Sequence, residues 1–162
     1  GVRLLAGAHV LDAFAGTGAL GLEALSRGAE HATFFETDRH ALAALRANIR
    51  ACGWEDRCTI MGRDVTAPPR IRAGQHPASL IFVDPPYRQN LPARAITALK
   101  AGGWIADNAT IVIETGRDEP PPFARPEADT TTLSRPGENL AVGPRWLAER
   151  QHGAARLSIW RL

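Results

Sequence analysis

The sequence predicts an α/β fold, a mostly parallel β-sheet with helices on both faces. Strand-like and helical segments alternate, a glycine cluster joins the first strand to the first helix, and the last segment reads as an antiparallel hairpin. The 162 residues suit one domain, expected to span residues 1–162. A hydrophobic content of 44% with 22% charged residues is ordinary for a globular chain and excludes a disordered or fibrous protein. Asp12, Glu23, Glu36 and Asp84 interrupt every apolar run. None reaches the roughly 18 residues of a membrane span, so a soluble protein without a membrane partner is expected.

The elements follow in order. His9–Phe14 is a short apolar strand leading into the glycines. Gly18–Arg27 then reads as a helix with Leu22 and Leu25 on one face, stopped by Gly28. His31–Glu36 is strand-like. Asp38 can cap the next helix, where Leu42, Leu45, Ile49 and Cys52 recur at helical spacing before Gly53. Arg57–Met61, Ser79–Asp84 and Ala109–Glu114 are three more strands, and Pro92–Ala101 is a helix with proline in its first turn. Residues 116–144 are expected to form a loop, because Glu119–Pro136 holds five prolines and little apolar periodicity. Arg145–Arg150 and Ala155–Arg161 form the hairpin around His152-Gly153. No internal repeat appears.

Charge points less clearly. Nineteen basic against seventeen acidic residues give a net charge of +2. Arg39 to Arg72 contains seven arginines against Glu55, Asp56 and Asp64, a locally basic stretch that reads most simply as a solvated face. Cys52 and Cys58 have no metal-ligand spacing, and the five histidines are scattered along the sequence. A reduced cytoplasmic protein without a metal is expected. The chain opens on Gly1, close to its first strand and without a basic leader, which reads as a missing front rather than a signal peptide.

Gly16-Thr17-Gly18-Ala19-Leu20-Gly21 fits GxGxxG between a strand and a helix. Glycines there let the backbone approach a ligand and adopt unusual φ values. Glu36 ends the second strand, where a carboxylate can accept from two ribose hydroxyls. Dinucleotide and S-adenosylmethionine (SAM) sites both have this pair, so a nicotinamide-dependent oxidoreductase remains open. Asp12, four residues before Gly16, would repel pyrophosphate but attract the ammonium of a methionine moiety. The same carboxylate also suits tying down its own loop by backbone hydrogen bonds, and the two roles are compatible. Asp64 follows the third strand, where it suits either an adenine amino group or a plain turn.

Asp84-Pro85-Pro86-Tyr87 follows the buried strand Ser79–Asp84, at the carboxyl end of the sheet where such folds bind ligands. Its chemistry suits methylation of an exocyclic amine on a planar base. The amine lone pair is delocalised into the ring. Accepting its N–H groups at Asp84 and the Pro85 carbonyl would draw that lone pair out of conjugation. Two prolines stiffen the turn, and Tyr87 can stack on the base for about 1–3 kcal/mol. The plain alternative is a rigid turn with an incidental aromatic. Arg88 and Arg94 just beyond are candidates for phosphate contacts, although each singly suits an ordinary exposed arginine.

Val10–Ala29, Phe34–Asp38, the helix around Asn48, Gly62–Asp64, Leu80–Tyr87 and Ile111–Thr115 together resemble class I SAM-dependent methyltransferases, more closely the bacterial 16S ribosomal RNA guanine-N2 methyltransferases of the RsmD type. The resemblance runs from about Gly7 to Thr115 and resumes in the hairpin. It implies a Rossmann-like, seven-stranded sheet whose last strand is antiparallel. It also implies SAM held by Asp12, Phe14, Ala15, Gly16, Thr17, Gly18, Glu36, Thr37, Asp64, Val65 and Asp84. Asp84, Pro85, Pro86 and Tyr87 would be at the reacting amine, with Tyr87 and Arg88 on the substrate. The implied partner is 16S rRNA or the small ribosomal subunit, for a monomeric enzyme. The family's basic amino-terminal arm is not seen here, and the proline-rich stretch is longer than the family's usual segment. The expected reaction is transfer of the SAM methyl group to guanine N2. Adenine N6 in DNA or RNA is the alternative, and a non-catalytic SAM-binding module is the reading from another class.

Overall fold

A computed structural model describes residues 5–86, 90–124 and 143–162. Seven strands form one sheet: β1 (His9–Asp12), β2 (His31–Phe35), β3 (Cys58–Met61), β4 (Ala78–Val83), β5 (Ile105–Gly116), β6 (Arg145–His152) and β7 (Ala155–Arg161), in the order β3-β2-β1-β4-β5-β7-β6. β1 to β5 are mutually parallel, and β7 runs antiparallel to both β5 and β6. The strand order reverses beside β1, so the crevice outside the carboxyl ends of β1 and β4 is where this architecture binds ligands.

Alternation along each strand divides the core between the two faces. Helices α1 (Ala19–Ser26) and α2 (Arg39–Cys52) lay Ala24, Leu25, Leu45 and Ile49 against Val10, Ala32 and Phe34. On the other face α3 (Leu91–Ala101) packs Ala95, Ile96 and Leu99 against Leu11, Ile81, Val83, Ile111, Ile113 and Trp160. Asp38 caps α2 by accepting from the Ala41 N–H at 2.8 Å, and Gly53 ends that helix, as the sequence predicts.

Four differences have local causes. The first helix starts at Ala19, because Gly18 takes φ +89° in the turn that precedes it. Arg57 belongs to a single 3₁₀ turn (Glu55–Arg57), where its guanidinium donates to the Ala29 carbonyl at 2.7 Å, so β3 begins one residue later than expected. β5 begins at Ile105 rather than Ala109. The polar pair Asp107-Asn108 conceals those strand residues, and Asn108 at φ +58° interrupts them. Within the expected 116–144 loop, Gly116 is still strand, and Phe123 packs edge-on against Trp160 at 5.2 Å. The rest of that loop, residues 125–142, lies outside the described residues. No helix among the described residues is long and apolar enough to cross a membrane.

Candidate active site

The turn between β1 and α1 is shaped by its glycines. Gly16 and Gly18 adopt φ +56° and +89°, and the Gly18 N–H donates to the Ala15 carbonyl at 2.8 Å. At Gly21 an added Cβ would press on the buried Phe34 ring, reaching its Cζ at 2.8 Å. The third glycine thus brings α1 close to β2, a packing role, whereas an added Cβ at Gly16 would meet nothing within 4 Å.

Asp12 lies beneath this turn at 1% exposure. Its Oδ2 accepts from the Gly21 N–H at 3.2 Å, while its Oδ1 is buried without a hydrogen-bond partner. Burial, reinforced by the charges of Asp84 and Glu36, pushes its pKa up to about 7 against the lowering effect of the Gly21 bond. A buried carboxyl oxygen left unmatched is costly. An ammonium group would satisfy it, so the residues fit the methionine end of SAM, and the bond to Gly21 ties Asp12 to the first turn of α1 rather than to its own loop.

Glu36 is already engaged. Its Oε1 accepts from the Gly16 N–H at 2.8 Å and its Oε2 from Thr37 and Asp38 N–H at 2.8 and 2.9 Å, so three of a carboxylate's roughly four lone-pair sites are taken. Two ribose hydroxyls would therefore need at least one amide to let go. Asp64 Oδ1 accepts from the Thr66 N–H at 2.8 Å and its hydroxyl at 2.7 Å, which lowers the Asp64 pKa and makes it a turn residue at the pocket wall.

A cavity of about 440 Å³ opens over the carboxyl ends of β1 and β4. Phe14, Gly16, Glu36, Thr37, Asp64, Val65, Asp84, Pro85 and Pro86 line it, together with Ala13, Phe35, Arg63 and Leu91, which the motifs did not single out. The volume suits a nucleoside-sized ligand. Asp12, Ala15, Thr17 and Gly18 do not line it. The Thr17 carbonyl is held by Asn48 Nδ2 at 3.0 Å, and the Ala15 N–H by the Phe35 carbonyl at 2.9 Å. Asp84 reaches solvent, yet partial burial raises its pKa. Arg94 is exposed on α3. Tyr87 and Arg88 lie outside the described residues.

Two features escaped the motif analysis. A second, larger cleft of about 740 Å³ lies beyond the Asp84–Pro86 segment, lined by Asn90, Pro92, Ala154 and the stretch from Thr115 to Pro122. Arg156 braces its wall: buried at 6% exposure, it donates to the Thr115 hydroxyl at 3.2 Å and the Glu119 carbonyl at 2.6 Å and pairs with Glu149 at 3.6 Å. The histidines, scattered in sequence, are partly gathered in space. His9 lies 4.6 Å from His76 and 6.2 Å from His31, ring to ring, at the opposite end of the sheet. Burial and these neighbours lower the His31 pKa. Among the described residues no cluster of His, Cys, Asp and Glu is arranged to hold a metal ion.

A family model described as conserved hypothetical protein 95 matches residues 2–138. The chain belongs to this family. Over 115 residues it is 38% identical to the ribosomal RNA small subunit methyltransferase D of Haemophilus influenzae, covering 68% of this chain and 58% of that protein. The crystal structure of HI0767 from the same organism, described there as a candidate methylase, superposes with a TM-score of 0.76 at 27% identity, covering 99% of this chain and 89% of that one. A tRNA1(Val) (adenine(37)-N6)-methyltransferase from Shewanella is 31% identical over 84 residues, 52% of this chain and 36% of that protein. The chain spans just over half the length of the curated relatives it matches first. The fold is the Rossmann-like methyltransferase fold, with the seven strands and antiparallel last strand that the resemblance implied and the terminal hairpin that the sequence predicts.

Proposed function

We propose that this family member is a SAM-dependent methyltransferase acting on the N2 amine of a guanine in small-subunit ribosomal RNA. The observation that carries the reading is the position of Asp84, Pro85 and Pro86. They leave β4 in the wall of the 440 Å³ cavity at the carboxyl end of the sheet, on the strand next to the one that carries the unmatched Asp12 carboxyl, and a second cleft large enough for a nucleotide opens at the start of α3 and the end of β5. The name of the Haemophilus relative supports the ribosomal substrate.

Asp12, the Gly16–Gly18 turn, Glu36 and Asp64 would hold SAM. When bound, it supplies an electrophilic methyl group on a positively charged sulfur. Asp84 Oδ and the Pro85 carbonyl accept the two N–H groups of the amine and so localise its lone pair. Positioning of this kind can supply most of the acceleration. Asp84, its pKa raised, can also take up the departing proton. The base must be out of its stack to reach this turn, which suits a loop nucleotide.

A second reading, methylation of adenine N6, has the Shewanella relative in its favour. A nicotinamide-dependent oxidoreductase does not suit the site, because Asp12 would face pyrophosphate with a buried carboxyl. The test incubates the chain and labelled SAM with unmethylated small subunits, naked 16S RNA and DNA, and identifies the modified nucleosides by mass. N2-methylguanosine from the ribosomal samples is expected, and Asp84→Ala should lose at least about a hundredfold of that activity while binding S-adenosylhomocysteine almost normally. N6-methyladenine would transfer the assignment to the second reading. Label in no nucleic acid would overturn the enzyme.

A further inference from the structure

We infer that Glu114 is a specificity-determining residue that reads the ring nitrogen beside the reacting amine and thereby selects guanine over adenine. The inference rests on the methyltransferase reading above.

The parallel register of β4 and β5 sets Val83 opposite Ile113, so the next residues, Asp84 just past β4 and Glu114 still within β5, stand side by side. Ile111, Ile113 and Thr115 turn into the buried layer shared with α3, and the alternation sends Glu114 to the opposite face of the sheet. Phe82 and Asp84 share that face by the same alternation. The two carboxyls are close enough for the charge of Asp84 to add to partial burial in raising the Glu114 pKa. Beyond Asp84, on the same face, lies Asp12 with its unmatched Oδ1. Three acceptors therefore cross the carboxyl end of three adjacent strands.

Glu114 has no evident part in the fold. It is half-buried, and among the described residues it has no hydrogen-bond or ion-pair partner. A partly buried carboxylate without a protein partner is free to accept from a ligand in place of its water. The bases differ where it matters. In guanine the exocyclic amine adjoins N1–H, a donor. In adenine it adjoins N1 with a bare lone pair. With the amine seated on Asp84, a carboxylate on the next strand accepts from guanine N1–H and repels adenine N1. Sites built to hydrogen-bond a substrate group discriminate strongly against analogues that lack it.

The test uses 2-aminopurine, which keeps the 2-amine but has no hydrogen on N1. Once the methylated position is mapped, small subunits are reassembled around RNA carrying guanine or 2-aminopurine there, and kcat/KM is measured for each. The wild-type chain should prefer guanine by roughly ten- to hundredfold, the range of one hydrogen bond to a charged group. Glu114→Gln, whose amide can offer either an acceptor or a donor, should bring the two bases within about threefold, with unchanged affinity for S-adenosylhomocysteine. Glu114→Asp should restore part of the preference, and it serves as the readout if the glutamine variant fails to fold. An undiminished preference in Glu114→Gln, or equal use of both bases by the wild type, overturns the inference. A wild-type chain that methylates no guanine N2 overturns the function proposed above and this inference with it.

Discussion

Asp12 poses a charge problem inside the protein. Its side chain is enclosed between the glycine turn and the sheet, with one oxygen bonded to the Gly21 N–H and the other to nothing. Its pKa in the folded chain, about 7, lies well above the ordinary 3.8, so between those values the folded state binds the extra proton. The associated stability is fully present below about pH 4 and is lost as pH rises toward and through 7. Asp12→Asn carries no such dependence. It should match the wild type near pH 4 and exceed it by up to about 4 kcal/mol at pH 8, read as the difference between urea unfolding curves at each pH. A constant difference across that range would mean that Asp12 is not held protonated. If the site holds SAM as proposed, its ammonium beside Asp12 favours the charged carboxylate and should lower that pKa. Sequence spacing identified Asp12 as unusual for a pyrophosphate site. Its missing partner depends on every group packed around it, and only the folded chain shows that.

At the scale of elements, the turn from β1 into α1 combines two glycine roles that the motif does not separate. Gly16 and Gly18 are needed for backbone angles, and Gly21 for the approach of the helix to Phe34 on β2. Gly21→Ala pits two effects against each other. Alanine favours the helix by about 1 kcal/mol, but overpacking a filled core costs roughly 1–3 kcal/mol. Phe34 is fully buried, so the steric cost should win. A net loss of about 1 kcal/mol is expected in thermal or urea unfolding, together with weaker S-adenosylhomocysteine binding as α1 is displaced. A variant as stable as the wild type would mean that the Phe34 ring yields freely. The boundaries of α2 were legible because a capping aspartate and a terminal glycine act within a few residues. The early start of β5 was not, because Ile105 joins the sheet through its pairing with Ala78 on β4, across an irregular stretch at Asp107 and Asn108 where the register shifts.

At the scale of the whole molecule, the last strand is inserted into the sheet. β7 lies between β5 and β6, and Trp160 is completely buried, donating to the Ser158 hydroxyl at 2.9 Å and packing against Phe123. Trp160→Ala should therefore cost about 3–5 kcal/mol, seen as a large drop in the urea midpoint. A loss below about 1 kcal/mol would mean that the hairpin is peripheral to the core. The same strand carries Arg156, which braces Thr115 and Glu119 at the wall of the larger cleft, so the end of the chain also shapes a surface beside the candidate site.

The sequence by itself determined the succession of strands and helices, the glycine turn, and the position of Asp84-Pro85-Pro86 just after a buried strand. These follow from periodicity and from residues acting on near neighbours. The tertiary structure alone decided that Glu36 already holds three backbone amides, that His9, His31 and His76 share one end of the sheet, and that Glu114 stands beside Asp84. Each of those arrangements depends on strand order and register between segments far apart in the chain. Local pattern carries no information about either.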